Sequence, residues 1–127
     1  MLKILLATPQ QDRFERLRSE LVRLHPFHFS HAADGQAALD AVLRRAVDLV
    51  IVDEALGDMS GLGLVRRLLG VNALINTVLV STESPEDFHE HTEGLGVLMP
   101  LPENCGAVEA AGLAEALRGL GMLTETG

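Results

Sequence analysis

Short apolar runs that end abruptly alternate along the chain with longer stretches whose apolar residues recur at helical spacing. Lys3 to Ala7 is the first such run; it stops at Thr8-Pro9 and predicts a buried strand. Gln10-Gln11-Asp12 opens a helix whose stripe is Phe14, Leu17, Leu21 and Leu24, with Arg13, Arg16, Glu20 and Arg23 off it. Asp12 stands one turn before Arg16, the favourable order for an ion pair, and Pro26 closes the helix. Phe27 to Ala32 alternates apolar and polar, as an edge strand does. Asp34-Gly35 breaks it, and Asp34 caps a helix over 36–46 with Leu39, Val42 and Leu43 on its apolar face.

Leu49-Val50-Ile51-Val52 is apolar throughout and largely β-branched, the pattern of a central strand covered on both faces. Asp53 ends it. Gly57 and Gly61 then form a loop, Ser60 caps a short helix with Leu62, Val65 and Leu68 inward, and Gly70 is its expected stop. Ile75 to Ser81 predicts a fourth strand, and Pro85 suits the first turn of a brief polar helix reaching about Glu93. Gly94 to Met99 predicts a fifth strand, cut off by Pro100 and Pro102. Asn104 is the expected cap of a last helix whose stripe is Ala110, Leu113, Leu117 and Leu120. Residues 1–122 form the predicted domain, and 123–127 a tail or the start of a linker. Strands alternating with helices in this way imply a three-layer α/β/α sandwich with right-handed crossovers.

Composition narrows the function. At 127 residues, 47% hydrophobic, the chain has the length of one domain and enough apolar residues for a core. A formal charge of −8 offers no basic footprint for nucleic acid, and with no Trp or Tyr there is no stacking platform for single strands. One cysteine, Cys105, excludes an internal disulfide and fits a reducing cytosol. No apolar run approaches the roughly 18 residues of a membrane span, so a cytoplasmic protein is expected.

The chemistry centres on Asp53, whose carboxylate leaves the sheet where α/β folds collect their ligands. Ser81 ends the neighbouring run and reads as a hydrogen-bond partner, because no histidine is placed to activate it. His28 and His31 fall on opposite faces of an extended strand, which argues against a shared metal ion. His89 and His91 read as solvated, and Cys105 as a packing residue. Thr8-Pro9-Gln10-Gln11 lacks the glycines of a phosphate-binding loop.

These residues resemble the receiver domain of two-component response regulators over almost the whole chain. Lys3-Ile4-Leu5-Leu6 resembles its opening strand, and Ala33-Asp34-Gly35-Gln36-Ala37-Ala38-Leu39 its second-strand-to-second-helix segment. Asp48 to Asp53 with Leu56-Gly57-Asp58-Met59-Ser60-Gly61 resembles the phospho-acceptor strand and loop, and Val78-Leu79-Val80-Ser81 the fourth strand with its hydroxyl. Gly94-Leu95 and Pro102 fall at the family's Gly-Ala pair and at the proline of its Lys-Pro. The resemblance implies a flavodoxin-like five-stranded parallel sheet in the order 2-1-3-4-5, with Asp53 as phospho-acceptor equivalent.

The departures are chemical. The family's Mg²⁺-binding acids correspond to Thr8, Pro9 and Gln10, its lysine to Leu101, the fifth-strand aromatic to Leu98 and the acceptor-loop proline to Gly57. Phosphoryl transfer to a carboxylate depends on positioning and charge neutralisation, and Mg²⁺ prefers carboxylate and phosphate oxygens. Asp12 in a helical turn and Glu54 pointing away from Asp53 do not restore the lost acids. The expectation is therefore a degenerate receiver, not an enzyme. Its Asp53, bonded to loop amides or Ser81, lacks both a cation cage and a basic partner, and Mg²⁺ binding is weak or absent. The resemblance implies protein partners, such as a histidine kinase or output domain, and a homodimer through the fourth-helix, fifth-strand, fifth-helix face. The alternatives are a conventional phospho-accepting receiver using Asp53, and a small α/β enzyme with a site near Thr8, Asp53 and Ser81.

Overall fold

The computed structural model describes residues 1–123. β1 (Leu2–Ala7), β2 (Phe27–Ala32), β3 (Leu49–Val52), β4 (Asn76–Val80) and β5 (Val97–Leu101) form one parallel sheet in the order β2-β1-β3-β4-β5. The helices are α1 (Glu15–Leu24), α2 (Gly35–Arg44), α3 (Gly61–Val71), α4 (Pro85–Thr92) and α5 (Ala107–Gly119), with one 3-10 turn, Gln11–Phe14, ahead of α1. The three-layer sandwich and its strand order agree with the sequence reading.

Alternation along the central strands divides the core in two. Ile4, Leu6, Leu49, Ile51, Val78 and Val80 pack with Phe14, Leu17 and Leu21 of the first helical segment and with Leu113 and Leu117 of α5. Leu5, Ala7, Val50, Val52 and Leu79 face the opposite way, onto Leu39, Leu64, Val65, Leu68 and Phe88. Covering both faces is what the unbroken apolar strands require. β2, with its alternating pattern, lies at an edge.

Several boundaries differ from the sequence reading, each for a local reason. β5 begins at Val97, because Gly94 and Gly96 adopt positive φ (79° and 70°) in the turn before it. It also continues through Pro100, which an edge strand tolerates because one side of its ladder is unpaired; a register shift against β4 accompanies it. Gly70 lies inside α3 and does not end it. Gly106, not Asn104, caps α5, its amide donating to Glu109 Oε1 at 2.7 Å. Leu24 and Leu43, at apolar positions of their helices, and Leu120, assigned to a buried stripe, are exposed. No Asp12–Arg16 ion pair forms among the described residues. Leu123 packs into the core, whereas the rest of the expected tail, 124–127, lies outside the described residues.

Asp34 and Ser60 cap as expected, accepting from the amides of Ala37 (2.8 Å) and Gly63 (3.0 Å). Asp58 ties the loop before α3 to the start of α2 by accepting from the amides of Gly35 (2.9 Å) and Gln36 (3.0 Å). Those two bonds hold its carboxyl below the usual range.

One core position is imperfect. Thr77 is 3% exposed and its hydroxyl has no hydrogen-bond partner among the described residues. Valine keeps the β-branched shape without the desolvated hydroxyl. Thr77→Val is expected to stabilise the fold by about 1 kcal/mol, read as a higher urea midpoint with an unchanged slope.

Candidate functional site

The register of β1 on β3 builds the site. Ala7 lies opposite Val52, so the next residue on each strand, Thr8 and Asp53, emerge side by side at the carboxyl edge of the sheet. The Asp53 amide still donates to Ala7 O at 2.9 Å, which anchors the strand end. Thr8 is fully buried and Asp53 is 2% exposed. A carboxylate that far from water needs donors.

Three groups supply them. Thr8 Oγ1 donates to Asp53 Oδ2 at 2.7 Å and accepts from the Gln10 amide at 3.0 Å, so its hydroxyl is used in both directions. The Glu54 amide donates to Oδ1 at 2.8 Å. Arg13 Nη1 lies 3.2 Å from Oδ2 and 3.4 Å from Oδ1. One nitrogen straddling both oxygens at these distances is a weaker arrangement than a two-nitrogen fork. The guanidinium is positioned further by the Phe14 ring, 5.9 Å from Cζ to centroid, and by Glu103 O at 3.5 Å.

Arg13 corrects the sequence reading. The pocket was expected to lack a basic partner, but the 3-10 turn after β1 places a cation on the Asp53 carboxylate. Helical periodicity put Arg13 on a solvent face, whereas the tighter turn directs it over the neighbouring strand end. The available signal was its place as the first basic residue after β1, beside the strand that presents Asp53.

The other predicted positions are dispersed. Ser81 does not bond Asp53; its Oγ accepts from the Glu83 amide at 3.1 Å. Leu101, where the resemblance places a lysine, is 1% exposed and part of the core. Pro9 lines the crevice over Asp53, a space of about 250 Å³ that Gln10, Arg13, Ala55 and Gly57 also border. Glu54, which also borders this crevice, directs its carboxylate to Thr82 as expected, accepting from the Thr82 amide at 2.8 Å and Thr82 Oγ1 at 3.1 Å. Cys105 donates to Pro102 O, and burial pushes its thiol up to about 11, consistent with packing. Among the described residues no three His, Cys, Asp or Glu side chains converge as a metal site would require. No helix of the described residues is long and apolar enough to cross a membrane.

Comparison with family models and with curated protein sequences finds no match. Solved structures are similar over most of the chain. A two-component response regulator from Clostridium difficile is 17% identical, with 94% of this chain and 98% of that one covered at a TM-score of 0.79. The signal receiver domain of an HD domain-containing protein from Pseudomonas fluorescens Pf-5 is 25% identical, with 93% and 88% covered at 0.76. A chemotaxis response regulator of Vibrio cholerae is 17% identical, with 91% and 97% covered at 0.76. With its sheet order and its helices on both faces, the chain has the fold of the receiver domains of two-component response regulators.

Proposed function

We propose that this chain is a cytoplasmic receiver-like signalling module that acts through protein–protein contact, with phosphoryl transfer to Asp53 impaired. The observation that carries this reading is the saturation of the Asp53 carboxylate. Oδ2 takes Thr8 Oγ1 and Arg13 Nη1, and Oδ1 takes the Glu54 amide and the same Arg13 nitrogen. A carboxylate offers about four lone-pair directions, and all are engaged by the chain's own donors. A nucleophilic oxygen must present one of them to the incoming phosphorus.

The same donors disfavour a metal. Mg²⁺ seeks oxygen ligands in near-octahedral array, whereas Asp53 is met by a hydroxyl that already donates to it and by a guanidinium of the wrong charge. The residues present do not fit a Mg²⁺ site. Nor does the crevice favour an enzyme, because the described bond at Ser81 Oγ comes from a backbone amide and not from a general base.

Partner contact is assigned to the face of α4, β5 and α5, by likeness to the fold's known use. There α4 exposes Glu86, Asp87 and Glu90, and α5 exposes Val108 at 80%. Contacts with a kinase, an output domain or a second copy belong to this reading.

The test is to incubate the protein with a small phosphodonor and Mg²⁺ and weigh it intact. No gain of a phosphoryl group is expected. A gain that Asp53→Ala abolishes establishes a conventional phospho-accepting receiver instead.

A further inference from the structure

A second cavity, which shares Glu54 and Val80 with the crevice over Asp53 but is not lined by Asp53 itself, lies between the start of α3, the end of β4 and the inner face of α4. It holds about 220 Å³, room for roughly six to eight non-hydrogen atoms. Leu62, Leu79 and Phe88 give it apolar walls, and Glu54, Glu83 and His91 border it.

The charge balance at this border is incomplete. Glu54 is held by Thr82 through an amide and a hydroxyl, both neutral, and forms no ion pair among the described residues. Among the described residues the Glu83 carboxylate meets only the His91 ring nitrogen, at 2.9 Å. That contact raises the His91 pKa, through the hydrogen bond first and the charge of Glu83 second, yet the imidazole remains a titratable cation rather than a permanent one. Among the described residues no lysine or arginine lines the cavity.

We propose that this cavity binds a small amphipathic cation, an alkylammonium or alkylguanidinium group whose chain packs on Phe88 and Leu79 and whose charge meets Glu54 and Glu83. Both carboxylates retain acceptor directions beyond those in use. A bare divalent ion is disfavoured, since the walls are apolar and no three ligating side chains converge among the described residues. An apolar neutral molecule leaves both charges facing it, and an anion is repelled. The inference is independent of phosphoryl chemistry at Asp53. The group has two sources, a free small molecule or an arginine side chain of a partner, with the same chemistry.

The test follows amide resonances during titration with n-butylguanidinium, with pentanol and pentanoate as neutral and anionic counterparts of similar size. Saturable shifts confined to Glu54, Leu62, Ser81, Phe88 and His91 are expected, with a Kd on the order of a millimolar. Pentanol should bind at least about tenfold more weakly, and pentanoate should leave the spectrum unchanged. Glu54→Gln, which keeps an acceptor for Thr82, and Glu83→Gln should each weaken the cation about three- to tenfold without lowering the Tm. An N-acetyl-arginine-amide arm separates the sources: equal or tighter binding assigns the site to a partner's side chain, and failure of that arm alone assigns it to a free ligand. Equal binding of pentanol and the cation, non-saturating shifts across the surface, or unchanged affinity in both glutamine variants overturns the proposal.

Discussion

Gly61→Ala is expected to cost about 3 kcal/mol of stability and to disturb the Asp53 site itself. A methyl group at Gly61 would stand 2.2 Å from the Asp53 carbonyl oxygen and 2.8 Å from Leu79 Cδ1. The first neighbour is backbone and cannot rotate aside. Its strand end is tied to β1 through Ala7, and the Gly61 amide itself donates to Glu54 O at 2.8 Å. Relief must therefore move α3 away from the sheet or push the chain at Asp53 outward, which stretches the Thr8 and Glu54 bonds. Gly35 provides the comparison. A methyl group there meets Met59 Sδ at 2.4 Å, a nominally similar clash, but an unbranched thioether can shift its torsions. Gly35→Ala should cost less than about 1.5 kcal/mol. Urea unfolding of the two variants checks both the magnitude and the order; equal costs would mean that the α3 start is free to slide.

Arg13→Ala is expected to destabilise the protein by about 2 kcal/mol. Removing one member of a buried ion pair leaves the other without compensation, which costs about 3–5 kcal/mol when both are fully buried. Here Asp53 is buried, but the Arg13 side chain is 31% exposed and its contacts are 3.2 and 3.4 Å long. Water reaches the guanidinium, so the smaller figure applies. In an Asp53→Asn background no carboxylate is left unpaired, and the same substitution should cost less than about 0.7 kcal/mol. A double-mutant cycle in denaturant at neutral pH should thus give a coupling above about 1 kcal/mol. An equal cost in both backgrounds would reduce Arg13 to packing over Phe14.

The two kinds of prediction reflect what sequence reveals and what it conceals. Leu49 to Val52, buried to the last residue, was legible because a strand covered on both faces leaves no polar position to blur it. Its legibility carried Asp53 with it, since the residue after such a strand falls at the sheet edge. The caps at Asp34 and Ser60 were legible for the same reason, being local chemistry. What failed depended on neighbours. Pro100 reads as a strand breaker, yet an edge position removes the need for its missing N–H. Leu24 and Leu120 stand at the last residue of α1 and the C-cap of α5, where they are exposed although they continue the helical stripes. Arg13 lies 40 residues from Asp53 in the chain, and only the pairing of β1 with β3 brings the turn that carries it over the carboxylate. The departures from the receiver pattern were visible in the sequence; the cation that meets Asp53 was a matter of geometry.

That contact changes the physical account of the domain. Rather than a bare acid at the sheet edge, Asp53 is an acid met from within, by a hydroxyl, an amide and a tethered cation. A divalent ion would have to displace Arg13 and turn the Thr8 hydroxyl, and among the described residues no three His, Cys, Asp or Glu side chains converge to recover the loss. The most direct test is a Mg²⁺ titration of the protein followed through the amide resonances of Thr8, Asp53, Glu54 and Ala55. The account predicts that these signals stay in place through the millimolar range, apart from a small linear drift shared with the whole acidic surface. A saturating shift centred on Asp53 and Glu54, with the Arg13 side-chain signal released in step, would contradict it.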